Sequence, residues 1–428
     1  MKRTLCALAL MGASLSSGAI AKTLIHAGEL LAVPGQQPLS QQSIVVDDGR
    51  ITQVTAGYID AASLGDNVTV IDLKDKFVMP GLMDMHVHLQ GELGPKNDSE
   101  ALRMSSQLVQ MLSQKHAMTT LMAGFTTVRD LGSSPQEMYA LRDSINNGWV
   151  DGPRILAAGR VGITGGHADV SGVKPQLMEM MTSENVCDGP FDCRRATRNN
   201  IKYGADLIKI TSTGGVLTDR ATGTGQQMEA DELKEVVIAA KRMGRKVASH
   251  AHHEDGIIAA LEAGVDSIEH GSYTGPQAIK LFKKTGAYLV PTLLAGETVT
   301  IMAKESDVMS PAIKAKAIKV GGDMLKNFER VHKAGVKIAF GTDSGVGKHG
   351  TNAREAVLME QAGMTPMQIL VSATVSAADL IDMSDSLGTL EKGKHADLIA
   401  LSTSPLEDIS TLMDVPFVMK GGKVYKQQ

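Results

Sequence analysis

The sequence predicts an α/β protein: a (β/α)8 TIM-like barrel with a small β-sandwich domain built from both chain ends. Three observations lead there. Apolar, β-branched runs alternate with helically spaced segments through the middle of the chain, the pattern of repeated βα units on a parallel sheet. Both ends read as strands and hairpins with no helix among them. The 428 residues also exceed the size at which one core usually stops growing, which leaves room for a barrel of about 250 residues or more and an accessory domain.

Taken in order, residues 1–21 read as a signal peptide. Lys2 and Arg3 supply the positive start, Leu5–Leu15 is apolar but too short to span a bilayer, and Ala19-Ile20-Ala21 fits the small-x-small cleavage rule. The mature chain is expected to begin at Lys22 and to be periplasmic or secreted. No later run reaches the roughly 18 apolar residues of a membrane span, so no membrane partner is expected. A net charge of −4 lacks the basic footprint of a nucleic-acid binder. Aromatic content of 3% offers no base-stacking platform.

Residues 22–79 form the first part of the sandwich, with Asp47-Asp48-Gly49-Arg50 as a hairpin turn. Residues 80–385 form the barrel. Its eight strands are expected at Val78–His88, Thr126–Asp130, Arg154–Ala158, Leu207–Thr211, Val247–His250, Ser267–His270, Tyr288–Thr292 and Lys337–Gly341. Helical spacing runs through Ser99–Ala123, Gln136–Asn146, Cys193–Tyr203, Asp231–Met243, Gly256–Ala263, Gln277–Lys284 and Pro311–Ala334. Residues 386–428 return as strands, with Gly421-Gly422 as a turn. Cys6 lies in the signal. Cys187 and Cys193 flank a Gly-Pro turn, and in an oxidising compartment a disulfide is the better reading than a two-thiol metal site.

In such barrels the active site lies at the C-terminal ends of the strands. His86 and His88, Lys209, His250, His270 and Asp343 fall at those ends. His86 and His88 are two residues apart and share one strand face. Imidazoles and carboxylates are ligands for a borderline-soft divalent cation such as zinc. A lone histidine is more often a satisfied core or surface group; the weight rests on the set, which suggests two cations and a hydrolytic water. His116, His332, His349 and His395 fall outside the pattern and are expected at the surface. A buried charged Lys209 would be costly. It is either salt-bridged to Asp206, Asp343 or a substrate acid, or converted by carbon dioxide to an anionic carbamate. His167, after Gly165-Gly166, either aims at a bound carbonyl or bonds its own loop. His252 shares the inward face of His250 and is read as a substrate contact. Thr213-Gly214-Gly215-Val216 either shapes the pocket or simply turns. Arg160 and Arg220, placed on loops, meet either a substrate carboxylate or solvent.

Several segments carry a family resemblance: Pro80–His88 (PGLMDMHVH), Gly124–Asp130 (GFTTVRD), Gly204–Lys209 (GADLIK), Ser249–His252 (SHAH), Ser267–Gly271 (SIEHG), Gly341–Ser344 (GTDS) and Leu387–Leu398 (LGTLEKGKHADL). Over nearly all of the mature chain the sequence resembles the amidohydrolase superfamily. It is most similar to the exported group related to imidazolonepropionase and to prolidase-like metal-dependent dipeptidases, and to ochratoxin-hydrolysing amidohydrolases. The resemblance implies that His86, His88 and Asp343 hold one, more buried cation and that His250 and His270 hold the second. N6-carboxylated Lys209 would bridge the two, with zinc the expected metal and a hydroxide between. It further implies that Asp343 takes the proton of the attacking hydroxide and passes it to the departing amine. The implied activity is that of a dipeptidase or carboxypeptidase releasing a C-terminal amino acid from a small peptide or N-acyl amino acid, with ochratoxin-like aryl amides among the candidates. A homo-oligomer is implied as well.

Two alternatives stand beside this reading. One is hydrolysis of a cyclic C–N bond, as in imidazolonepropionase or deaminase relatives. Such deaminases use one metal and a glutamate three residues after the strand-5 histidine; position 253 is His, and Glu254 comes one residue late. The other is an inactive relative, but such proteins usually lose ligands and none is lost here. Related peptidases often carry Tyr near the position of Met228, a departure that bears on substrate preference.

Overall fold

The computed structural model describes residues 22–94, 100, 102–218, 223–305 and 309–428. The expected signal peptide and Arg220 lie outside the described residues. β1 (Lys22–Leu30), β2 (Leu39–Asp47), β3 (Arg50–Ala56) and β4 (Val68–Pro80) open the chain. β5 (Leu82–Val87), β6 (Phe125–Asp130), β7 (Arg154–Ile163), the two-residue β8 (Val186–Cys187), β9 (Leu207–Thr211), β10 (Val247–Ala251), β11 (Ser267–His270), β12 (Tyr288–Val290) and β13 (Lys337–Ile338) follow, separated by helices. β14 (Leu398–Leu401), β15 (Phe417–Lys420) and β16 (Lys423–Gln427) close it.

The chain ends share one seven-stranded sheet in the order β16-β15-β14-β4-β1-β2-β3. The expected sandwich is this single sheet, with the tips of two of its hairpins in contact. The turn at Gly49 touches that at Gly421, where a Cβ on Gly49 would lie 2.7 Å from the Gly421 carbonyl oxygen. Ile51 N donates to Lys394 O at 2.9 Å across the same seam. Ile25, Ile44, Ile71, Leu398 and Phe417 fill the space inside.

The eight strands from β5 to β13, β8 excepted, pair in sequence order and all in parallel. β13 is short, and the irregular chain after it carries the ladder back to β5. Met85 N donates to Phe340 O at 2.8 Å, Asp343 N to His86 O at 2.7 Å, and His88 N to Ser344 O at 2.7 Å. This is the expected (β/α)8 arrangement with its last strand completed by loop backbone. β4 runs into β5 through Gly81 alone, where a Cβ would lie 2.3 Å from Thr126 Oγ1. Only glycine lets the chain pass from the flanking sheet into the barrel so closely. Cys187 and Cys193 are disulfide-bonded. Among the described residues no helix is long and apolar enough to cross a membrane.

Helix Leu293–Glu305 has no counterpart in the sequence expectation. Its small and apolar residues are spread around the helix instead of forming one stripe, so spacing gives no signal. It packs on helix Pro311–Lys333, with Gly321 so near that a Cβ there would lie 2.4 Å from Gly296 O.

Barrel and flanking sheet are joined by an ion pair between part-buried Arg154 and buried Asp397. Arg154 Nη1 of β7 donates to Asp397 Oδ2 at 2.6 Å, and Asp397 Oδ1 accepts from Gly421 N at 2.7 Å. Removing one partner of such a pair strands the other charge in the interior. Asp397→Ala is therefore expected to cost about 3–5 kcal/mol, read as a lowered denaturation midpoint; a change within experimental scatter would contradict this account.

Candidate active site

The C-terminal ends of the barrel strands open on a cavity of about 260 Å³. His86, His88, Lys209, His250, His270 and Asp343 all line it, together with His167, His252 and Arg160. The imidazoles are close neighbours: ring centroids are 5.1 Å apart for His86 and His270, 4.6 Å for His250 and His270, 4.7 Å for His250 and His252, and 4.5 Å for His167 and His250. Donor atoms of His86, His270 and Asp343 lie within 4.8 Å of one another, as do those of His250, His252 and His270. His270 belongs to both groups. His88 stands nearer the opening, its Nε2 2.9 Å from Asp343 Oδ1.

Two ligand-type side chains owe their direction to unusual backbone. Successive strand residues point to opposite faces, yet Glu269 and His270 both serve the interior. His270 manages this at φ +71°, and Asp343 sits at φ +59°. Left-handed conformations in non-glycine residues are uncommon and persist where surrounding contacts over-determine them. At Asp343 those contacts centre on Asp84, buried beneath the segment. Its carboxylate accepts from Thr342 Oγ1 at 2.6 Å, Asn352 Nδ2 at 2.8 Å, His86 N at 3.0 Å and Thr342 N at 3.1 Å.

The imidazoles are aimed by a second set of contacts. Glu269 Oε2 lies 3.0 Å from His86 Nδ1, and Glu269 Oε1 accepts from Arg129 Nη2 at 2.8 Å. Arg129 Nε in turn donates to Met85 O at 2.6 Å. His270 Nδ1 lies 2.7 Å from Thr292 Oγ1, and His252 Nδ1 lies 2.7 Å from Ser272 Oγ. His250 instead places Nε2 3.3 Å from Gly214 O. Each ring thus has one nitrogen engaged, which leaves the other for the cavity.

Burial sets the charge states. It lowers His86 and His167 to about 4 and His252 to about 3, and it takes His250 and His270 well below the usual imidazole range. The rings are neutral at pH 7 and carry lone pairs. Burial also lowers Lys209 to about 8, against the pull of Glu269 and Asp343. It would raise Asp343, but His86, His88 and Lys209 hold that carboxyl at about 2. Asp343 Oδ1 is buried and faces the Nε2 atoms of His86 and His88, at 3.4 and 2.9 Å. Neutral imidazoles and an ionised carboxylate gathered at one rim make a donor set that fits divalent cations.

Arg160, expected on a loop, belongs to β7 and reaches the cavity wall. The glycine loop after β9 shapes the pocket directly: a Cβ on Gly215 would lie 2.2 Å from the His167 ring. His116 and His349, expected at the surface, are 5% and 6% exposed, because both are drawn under the loop that follows β5; His332 and His395 are half-buried. Met228 is fully buried. Sequence reasoning assigned no role to Glu269, Arg129 or Asp84, although each lies in a motif segment. A carboxylate or guanidinium within an otherwise apolar strand was the available signal.

Burial alone would raise Glu269, but Arg129, His86 and Lys209 hold it at about 2, below its usual 4.5. A depressed carboxyl contributes stability that is present above 4.5 and is lost as pH falls toward 2, at about 1.4 kcal/mol per pKa unit. In chelator-treated protein, Glu269→Gln should be less stable than the parent at pH 7, with the gap closing between pH 4.5 and 2. A gap that is constant with pH would refute the assignment. Gly215→Ala should displace His167 and lower turnover at least tenfold while barely changing the denaturation midpoint; unchanged turnover would show that His167 is not needed where it stands.

The model of the amidohydrolase family matches residues 77–425. The ochratoxinase of Aspergillus niger is 31% identical over 433 residues, covering 94% of this chain and 86% of that protein. Among solved structures, a Xaa-Pro dipeptidase with methionine bound in its active site superposes with a TM-score of 0.90 at 42% identity, covering 95% of this chain and 100% of that one. A prolidase complexed with N-methylphosphonate-L-proline superposes with a TM-score of 0.86 at 31% identity, with the same coverage. The rim of imidazoles and carboxylate, the barrel that carries them and these likenesses agree: the chain belongs to the amidohydrolase family and is a hydrolase of carbon–nitrogen bonds.

Proposed function

We propose that the protein is a dipeptidase or carboxypeptidase that releases a C-terminal amino acid from small peptides and N-acyl amino acids, outside the cytoplasm, with two divalent cations, zinc foremost. The observation that carries this reading is the asymmetry of the cavity. Imidazoles, Lys209 and Asp343 line it beside apolar Val216, Leu217, Val299, Val320 and Met324, and Arg160 is an exposed member of the lining. Arg160 forms no ion pair among the described residues and makes only a long contact of 3.5 Å to Gly132 O. A guanidinium without a carboxylate partner suits the free carboxylate of a C-terminal residue, and the apolar wall suits its side chain or an acyl group. The relatives' substrates and bound molecules, an amino acid and an N-substituted proline, are of this class. The disulfide fits an oxidising compartment.

In this reading His86, His88 and Asp343 would hold one cation, His250 and His270 the other, and carboxylated Lys209 would contribute to both. Cations held there would supply Lewis acidity and lower the pKa of a water. Carboxylation requires the neutral amine, whose nitrogen bonds to carbon dioxide as a proton leaves; burial favours that form of Lys209. Asp343, ionised, accepts the proton of the attacking water and returns it to the departing nitrogen, which cannot leave as an amide anion. His167 and His252, neutral and buried against His250, are substrate contacts that donate to the carbonyl oxygen as it gains charge.

Metal-loaded protein should release free amino acids from a panel of dipeptides and N-acyl amino acids. Ammonia release from cyclic amidines without peptide cleavage would overturn the reading. Arg160→Met should raise KM at least tenfold for substrates with a free carboxylate and leave their C-terminal amides unaffected; equal effects on both would remove Arg160 from the site. Lys209→Ala should lose turnover by at least a hundredfold and regain part of it with short carboxylic acids. An unmodified, salt-bridged Lys209 in metal-replete crystals would exclude the carbamate.

A further inference from the structure

Outside the cavity, Glu92, His116 and His349 bring three donor atoms within 4.8 Å of one another. They come from three separate segments: the loop after β5, helix Ser106–Met122, and the chain following Asp343. The two rings are buried and stacked, with centroids 4.4 Å apart and planes at 25°. Backbone carbonyls fix the tautomer of each. His116 Nδ1 lies 2.9 Å from Leu89 O, and His349 Nε2 lies 3.0 Å from Gly91 O. A carbonyl oxygen only accepts, so these nitrogens carry the protons. In a neutral ring the other nitrogen, His116 Nε2 or His349 Nδ1, is then a lone-pair donor.

His349 is held neutral by burial and by His116 alongside it, at about 4. Its Nδ1 is buried and has no hydrogen-bond partner. A hydrogen-bonding network built for its own sake would be expected to satisfy that atom. An imidazole that gives one N–H to a backbone carbonyl and presents the opposite nitrogen is how metal-binding histidines are usually held. Glu92 Oε1 accepts from His349 N at 2.9 Å, which ties the carboxylate to the same spot. Two imidazoles and one carboxylate are a recurrent three-residue zinc set.

We propose that Glu92, His116 and His349 form a third cation site, for a divalent ion of the zinc class, separate from the barrel-mouth residues. Its role is structural. It joins the loop that leaves β5 just past His88 to the segment that carries Asp343, two stretches already in contact through Leu93 N and Gly345 O at 2.6 Å. Half-buried Glu92 gives the ion a way in from the surface.

The test counts metal and needs no substrate, so its outcome is independent of the function proposed above. Full-length mature protein is loaded with zinc, dialysed against zinc-free buffer and analysed for bound metal. His116→Ala and Glu92→Gln, which leave the barrel mouth intact, are treated alike. The parent should retain one equivalent more than either variant, and part of its zinc-dependent rise in denaturation temperature should disappear in both. Diffraction at the zinc absorption edge should place a peak between His116 Nε2, His349 Nδ1 and the Glu92 carboxylate. Equal metal content and equal zinc-dependent stabilisation in parent and variants would overturn the proposal. A peak found only in crystals soaked in high zinc, with no extra equivalent retained in solution, would mean an adventitious ion only and would overturn it as well.

Discussion

A buried negative charge at Glu269 governs the geometry of the site. It lies inside the barrel, fully enclosed, and would be intolerable without the Arg129 guanidinium at 2.8 Å. The pair is not simply neutralised. Arg129 spends a second donor on Met85 O in β5 and a third on Ser267 Oγ, while the other oxygen of Glu269 meets His86 Nδ1. One ion pair therefore ties β5, β6 and β11 together beneath the rim and selects the His86 tautomer that turns Nε2 toward the cavity. A hydrophobic plug of equal volume could hold the strands but could not orient the ring.

Where strand geometry alone cannot present a donor, the chain distorts. His270 and Asp343 both adopt left-handed backbone, and each is fixed by a hydroxyl or carboxylate partner: Thr292, itself at φ +50°, for the former and the Asp84 cluster below the latter. The short β13 belongs to the same economy. Strand backbone after Ile338 would alternate residues in and out; an irregular segment lets Phe340, Asp343 and Ser344 close the barrel by hydrogen bonds while the Asp343 side chain swings to the mouth.

The barrel and the rim were legible because they rest on local pattern. Strand periods, turn residues and a donor at or just past the end of five of the eight strands all survive in one dimension, and Leu207–Thr211 and Ser267–His270 fall as expected. What failed to show depends on contacts distant in sequence. Glu269 reads as one more motif residue until Arg129, 140 positions away, is seen beside it. His116 and His349 look like surface residues because nothing adjacent to either explains its burial; their partners are the Leu89 and Gly91 carbonyls of a third segment. Helix Leu293–Glu305 is invisible to periodicity since it is buried by a neighbouring helix as well as by the barrel. Arg160 was ambiguous for another reason: sequence does not say whether a guanidinium at a strand end turns toward a cavity or toward solvent.

That same helix links selectivity to chemistry. Its first turn contributes Ala295 and Gly296 to the cavity, and Val299 follows one turn on. Its free N-terminal amides, Leu293 N and Leu294 N, donate to the two oxygens of Glu355 at 2.9 and 2.6 Å. Glu355 is buried, and burial raises it to about 8 despite those bonds, with Asp84 adding to the rise. Asp84, raised to about 6 by burial, is the group that holds the Asp343 segment. Two neighbouring buried carboxyls thus anchor, respectively, the apolar wall of the cavity and the backbone that presents Asp343. Like charges in so dry a place oppose each other's ionisation, so an ionised Asp84 favours the protonated form of Glu355. Selectivity and turnover should for that reason be hard to separate by mutation on this side of the cavity, whereas on the opposite side, where Gly215 merely leaves room for His167, they have no shared support.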